Sequence, residues 1–175
     1  ESAEAVLDYT VPFYWENILF LSQDVLGLDA RGVLNKEVVL GIVPRLISVF
    51  ENRLAQVEYT YLEHYWLGQL YTIMGEYVDV QHYGQAVEHL EEAGSINGER
   101  QHIPFLLAKT YLLMGEKESG VRVLEDLVEK NNSYVEPQWY LGLALMDVGR
   151  ETEAFTYLEK GFSYGATKDE NILYM

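Results

Sequence analysis

His82 and His89 stand seven residues apart and flank Glu88, and they are the first residues whose types could do chemistry. Imidazole and carboxylate groups hold zinc when three or more converge, and a helix supplies two rings on one face from a His-Glu-x-x-His spacing. That spacing is absent and no third ligand converges, so these histidines are expected at the surface, with no metal bound. The acidic residues Glu88, Glu91, Glu92, Glu116, Glu118, Glu125, Asp126 and Glu129 fall on polar faces of helical patterns and read as solvated helix surface. No glycine-rich phosphate loop and no Gly-x-Ser-x-Gly setting occurs. Nucleophilic and phosphoryl-transfer chemistry has no visible apparatus, so the chain is expected to be no enzyme and to need no cofactor.

The elements that would position any site repeat along the chain. Leu107-Ala108-x-x-Tyr111-x-x-x-Gly115 returns as Leu141-Gly142-x-x-Leu145-x-x-x-Gly149, a step of 34 residues from 108 to 142 and from 115 to 149. Gly120, Leu124 and Leu127 return at the same step as Ala154, Leu158 and Gly161. An earlier copy, Leu67-Gly68-x-x-Tyr71-x-x-x-Gly75, lies 40 residues before the second and so carries six extra residues, Val78 to Tyr83. A 34-residue period in a helical sequence points to a solenoid of helix-turn-helix units. Small residues at 68, 108 and 142 let paired helices approach closely, while Tyr71, Tyr111 and Leu145 fill the gap one turn later. Gly75, Gly115 and Gly149 read as helix stops in the left-handed conformation. Ala86, Leu90 and Ala93 form an apolar stripe that Ala154, Leu158 and Gly161 repeat. The insertion has two readings: a longer turn on a binding face, or an extra helical turn with Tyr77, His82 and Tyr83 packing at the rim.

These units resemble tetratricopeptide (TPR) repeats, with Leu-Gly, Tyr and Gly in the first helix and Ala, Leu and Ala in the second, over about residues 61 to 163. The tryptophan that the family carries before Leu-Gly is replaced by His64, Pro104 and Gln138, and Asn97-Gly98 and Asn131-Asn132-Ser133 stand where its loop proline would be. The resemblance implies an all-α, right-handed α-solenoid of TPR-like repeats over 61–100, 101–134 and 135–168, preceded by a helical region over 1–60 and followed by the start of a further or capping helix at 169–175. In that family, positions 2, 5, 9 and 12 of each first helix face a concave groove that binds a protein or peptide. Carried over, these are Leu62, Tyr65, Gln69 and Thr72, then His102, Phe105, Lys109 and Leu112, then Glu136, Trp139, Leu143 and Met146. Tyr65, Phe105 and Trp139 share position 5. They either anchor an apolar or aromatic segment or pack between neighbouring helices and against the N-terminal helix. Only Lys109 is of the type with which family members grip a C-terminal carboxylate, so a chaperone-tail clamp is not expected.

With 12 basic and 28 acidic residues the formal charge is -16, which argues against nucleic acid or an anionic membrane surface as partner. A chain of 175 residues that is 49% hydrophobic buries a sizeable core. Cysteine is absent, which excludes disulfides and thiolate zinc sites and leaves the compartment open. The first residue is Glu1 rather than Met, as in a processed chain or an excerpt of a longer one. Phe13 to Leu28 is broken by Glu16, Asn17, Gln23 and Asp24, too polar to span a membrane. It is expected to form an amphipathic helix that opens at Pro12 and closes at Gly27. Asn35 to Tyr59 has a helical period that Pro44 interrupts. A proline inside a helix costs about 3 kcal/mol, so the break is expected at Gly41, with Pro44 opening a new helix. Gly41 would then close a worn upstream repeat whose second helix carries Leu46 and Phe50, although Leu34 and Arg53 fill positions that the pattern gives to small residues.

The function expected from these features is a non-catalytic adaptor that holds a protein or peptide in an aromatic-lined groove. An alternative is a soluble extracytoplasmic module of a larger bacterial envelope protein. The runs Trp66-Leu67-Gly68, Arg100-Gln101-His102, Gln138-Trp139-Tyr140-Leu141-Gly142 and Gly161-Phe162-Ser163-Tyr164-Gly165 resemble repeat modules of membrane proteins that ligate or polymerise surface glycans. A third is head-to-tail self-association through the ends of an open solenoid. The location leans to extracytoplasmic or membrane-associated, without direct membrane insertion by this segment, with a cytoplasmic one open.

Overall fold

Among the described residues, 14–58, 60–97, 100, 102–130 and 135–163, the computed structural model is built of eight α-helices and no strand. They are α1 (Tyr14–Ala30), α2 (Lys36–Leu54), α3 (Tyr61–Tyr77), α4 (His82–Ile96), α5 (His102–Met114), α6 (Lys117–Lys130), α7 (Val135–Asp147) and α8 (Glu151–Ser163). From α2 onward each helix packs on the next, and α3 also meets α5, so the first helices of successive pairs lie side by side. The result is an α-solenoid of helix-turn-helix pairs, as the 34-residue step predicts.

Two of the three predicted stops close their helices as expected. Gly115 has φ 88° and Gly149 φ 78°, both left-handed. Glu116 N–H donates to Tyr111 O at 2.9 Å and Gly115 N–H to Leu112 O at 3.1 Å, and Arg150 and Gly149 do the same to Leu145 and Met146. This pair of bonds satisfies the last carbonyls of a helix that ends on glycine. Gly75 is different. It lies inside α3, which runs on to Tyr77, and a Cβ there would meet the Tyr83 ring at 2.5 Å. Its lack of a side chain serves packing, and the stop predicted at Gly75 moves to the end of α3. The insertion mostly lengthens helices: α3 ends two residues past Gly75, whereas α5 ends one residue before Gly115.

Close approach within pairs falls where the small residues predict. A Cβ at Gly68 would meet Leu90 at 2.6 Å and one at Gly142 would meet Leu158 at 2.7 Å. In the middle pair the roles swap, since it is Gly120 of α6 whose Cβ would meet Leu112 at 2.8 Å and the Ala108 carbonyl at 3.1 Å.

The N-terminal region departs from expectation at two glycines. Helix α1 does not close at Gly27 but runs to Ala30, and Gly32 at φ 63° makes the stop, with Val33 N–H donating to Leu28 O and Gly32 N–H to Asp29 O. Asn35 then caps α2, its side-chain oxygen accepting from Val38 N–H at 3.0 Å. No break occurs at Gly41 or Pro44, because α2 passes through both. Pro44, Gly41 and Leu40 all face solvent, where water can take the carbonyl that proline leaves free, while Val39, Val43, Leu46, Ile47 and Phe50 bury the opposite face. Each such side chain contributes roughly 1.5–3 kcal/mol, which outweighs the proline. The turn between α1 and α2 therefore lies at Gly32, and the helix stop expected at Gly41 is not formed.

Side chains of α1 to α4 form one core, including Ile18, Val25, Phe50, Leu67 and Ala86. Those of α5 to α8 form a second around Leu124, Leu141, Leu145 and Ala154. Tyr61, Ala93 and Ile103 form a small cluster between α3, α4 and α5. The helix start at Pro12, the turn residues Gly98 and Asn131 to Ser133, and the segment from 169 lie outside the described residues.

Candidate interaction surface

The twelve groove candidates do not form one row. Leu62, Tyr65 and His102 line one pocket, of about 630 Å³, together with Arg53, Val57, Tyr61, Glu63, Trp66 and Arg100. Phe105, Lys109, Leu112 and Leu143 line a second recess of about 300 Å³ between α5 and α7, with Leu113, Tyr140 and Asp147. Met146 and Glu136 are exposed on α7 outside both, and Gln69 is half-buried on α3. Thr72 does not face an open groove. It is buried, donates to the Gly68 carbonyl at 2.8 Å and lies 2.9 Å from the Thr110 hydroxyl, a polar contact between α3 and α5.

The three position-5 aromatics separate in the same way. Trp139 is 7% exposed, with Phe162 edge-on at 4.8 Å and Gly161 against its ring, so it packs between α7 and α8. Phe105 is half-buried, meets Tyr140 edge-on at 4.7 Å and forms one wall of the α5/α7 recess. Tyr65 meets His102 edge-on at 4.8 Å and lies in the first pocket. Lys109 is engaged within the chain. Asp29 at the end of α1 lies 4.0 Å away and accepts from the Tyr77 hydroxyl at 2.9 Å. Burial first, and then Asp29, raise the Glu76 carboxyl beside them, while Lys109 lowers it.

His82 and His89 are less exposed than expected, both being half-buried. His89 and His64 are half-buried with their Nδ1 atoms 2.9 Å apart, so one ring must donate to the lone pair of the other. Burial first, and then His64, push His89 down to about 4, and burial also lowers His64. Tyr71 stacks on His89 at 5.6 Å and donates its hydroxyl to Glu51 at 2.7 Å. Forty residues on, Tyr111 donates to Glu91 at 3.1 Å. Each tyrosine thus reaches back to the second helix of the preceding pair. Glu91 is therefore not merely solvated, and neither is Glu125, which pairs with Arg150 at 2.9 Å. Among the described residues no three His, Asp or Glu side chains are placed to hold a metal ion.

With this geometry in place, its relatives are structural. The fold is that of a TPR-like α-solenoid. One crystal structure of MamA matches it with a TM-score of 0.66 at 18% identity, over 87% of this chain and 79% of that one. The 41-end form of MamA from Desulfovibrio magneticus RS-1 matches with a TM-score of 0.63 at 17% identity, over 89% and 77%. MamA AMB-1 matches with a TM-score of 0.61 at 16% identity, over 98% and 83%. At these identities the likeness is one of fold. No protein-family model and no curated protein matches the chain.

Sequence reasoning missed Tyr61, Arg53 and Arg100 in the first pocket and Tyr140, Leu113 and Asp147 in the second. Tyr61 and Tyr65 are four apart on α3, a spacing that puts both rings on one face, so Tyr61 carried a usable signal. Arg53 and Arg100 carried none, since they reach the pocket from the end of α2 and from the segment before α5.

Proposed function

We propose that this chain is a non-catalytic protein-interaction scaffold that holds a peptide or protein segment along α3, α5 and α7. The observation that carries this reading is the α5/α7 recess. It is apolar at its walls, bordered by Lys109, which faces Asp29, and by Asp147, which pairs with Lys117 at 2.7 Å. The same two helices expose Leu113, Met114, Leu143 and Met146, each about two-fifths exposed. Large apolar side chains left in water beside a concavity mark an interaction site, and methionine adapts its shape to an irregular partner.

The test is capture of a partner by the intact protein. Leu113→Asp with Leu143→Asp places charge on exposed positions, so helical content should stay unchanged while the captured partner is lost. A partner retained in full by the folded double variant would sink the groove.

A second reading, head-to-tail self-association, is favoured by α8, whose Phe155 and Phe162 are 63% and 56% exposed. Light-scattering mass should then rise with concentration and revert with Phe155→Glu. A mass that stays monomeric throughout removes this reading.

A further inference from the structure

The larger pocket, where α2, α3 and the start of α5 meet, carries an excess of positive charge in a chain of formal charge -16. Arg53 and Arg100 both line it, against the single carboxylate of Glu63. Arg53 is held on two sides. Its Nε donates to Glu63 Oε1 at 2.6 Å, and its guanidinium lies 3.8 Å from the centre of the Trp15 ring. Those contacts leave its two terminal amino groups as donors without a hydrogen bond among the described residues. Arg100 lies over the Tyr61 ring at 5.5 Å, and among the described residues it forms no ion pair. Tyr61 and Tyr65 stack at 6.3 Å, and the Tyr61 hydroxyl lies 3.0 Å from His102 Nε2. The aromatic floor is therefore ordered before any ligand arrives.

Two further polar atoms of lining residues are buried without a hydrogen-bond partner: the Trp66 indole N–H and the second carboxylate oxygen of Glu63. One is a donor and one an acceptor, and a peptide bond supplies the complement of both. Burying such atoms unpaired costs roughly 1–3 kcal/mol each.

We infer that this pocket takes the side-chain carboxylate of one aspartate or glutamate within a bound peptide, between Arg53 and Arg100, with a neighbouring apolar side chain on Tyr65 and Leu62. Two guanidinium groups match a carboxylate through charge-assisted hydrogen bonds. The net charge of the chain narrows the choice. A run of acidic residues would be repelled at long range, so the favoured segment carries an isolated carboxylate in a neutral or basic surrounding. The assignment rests on the reading of the first-helix face as a peptide-holding surface, and it names the chemistry that one end of that surface selects.

The test uses the intact chain labelled with ¹⁵N and two blocked pentapeptides, acetyl-Ala-Phe-Glu-Leu-Ala-amide and its Gln counterpart. The Glu peptide should shift the Trp66 indole resonance and the amides of Tyr61 and Tyr65 in a saturable way, and the Gln peptide should bind at least tenfold more weakly. Arg100→Gln, a change at an exposed side chain, should remove that preference, and Arg100→Lys should restore part of it. Equal binding of the two peptides, with shifts confined to Phe105 and Leu143, overturns the carboxylate assignment and leaves the α5/α7 groove standing. Shifts at neither site overturn both. A third peptide, with glutamine inside and a free C-terminal acid, should bind as weakly as the blocked Gln form. Tight binding of that peptide at Trp66 would move the recognised group from a side chain to a chain end and overturn the assignment.

Discussion

Glycines 68 and 41 show how one residue type serves two purposes. A methyl group at Gly68 would sit 2.6 Å from Leu90 atoms inside the α3/α4 contact, whereas one at Gly41 would meet nothing within 4 Å on the exposed face of α2. Gly68→Ala should therefore cost about 1–3 kcal/mol through overpacking, and Gly41→Ala should stabilise by about 0.5–1 kcal/mol by removing backbone freedom from the unfolded chain. Urea denaturation of the two variants should move the midpoint in opposite directions. His89 supplies the pH dependence. Its folded value is pushed down to about 4 and that of His64 is also lowered, whereas unfolded histidines titrate near 6.5. Below about pH 6.5 the unfolded state thus binds more protons than the folded one. The stability is fully present above that pH and is lost as the pH falls toward 4. Partial exposure of the pair screens the effect, so the expected loss is about 1–2 kcal/mol. His89→Asn should flatten this slope in urea midpoints measured from pH 7 to 4, and an unchanged slope would assign it to other groups.

At the scale of elements, the helix pairs are fastened by contacts that periodicity does not show. Tyr71 of α3 donates to Glu51 of α2, and Tyr111 of α5 donates to Glu91 of α4, both across a spacing of 20 residues. Apolar stripes place helices side by side but tolerate sliding, whereas a directed hydroxyl–carboxylate bond sets their axial register. Tyr71→Phe should lower stability by about 1–2 kcal/mol. A double-mutant cycle with Glu51→Gln should return a coupling energy of at least 0.5 kcal/mol. Additive losses would mean that the bond contributes nothing beyond its separate parts. Helix α2 makes a related point about propensity. Pro44 is an interior helix residue here because its free carbonyl partner faces solvent and the buried face of the helix is continuous.

Over the whole molecule, the two halves touch through the cluster of Tyr61, Ala93 and Ile103 and through the buried Thr72–Thr110 contact. A chain whose pairs touch only their neighbours unfolds as coupled segments, and the coupling is as strong as the interface between them. Ile103 is almost wholly buried there, so Ile103→Ala should cost about 2–4 kcal/mol and weaken cooperation between the halves. Fluorescence of Trp15 and Trp66 reports on the first half and Trp139 on the second. In the variant their urea transitions should separate, and coincident transitions would count against a two-part core. Most of the architecture was legible beforehand, because close helix packing demands small residues at fixed intervals and leaves a 34-residue step in the chain. Gly115 and Gly149 could be read as stops for the same local reason. The site was not so legible. Trp139, Phe105 and Tyr65 hold one position of the repeat, yet the first is covered by Phe162 and Gly161 while the other two border cavities. Exposure depends on what the next helix places opposite a ring, and the pattern within one repeat does not record it. Arg53 and Arg100 line one pocket only because α2, α3 and the start of α5 converge in space, from positions 47 residues apart in the chain. Helix spacing is a local property written in each repeat, whereas the charge and shape of a pocket are sums over neighbours that only folding brings into contact.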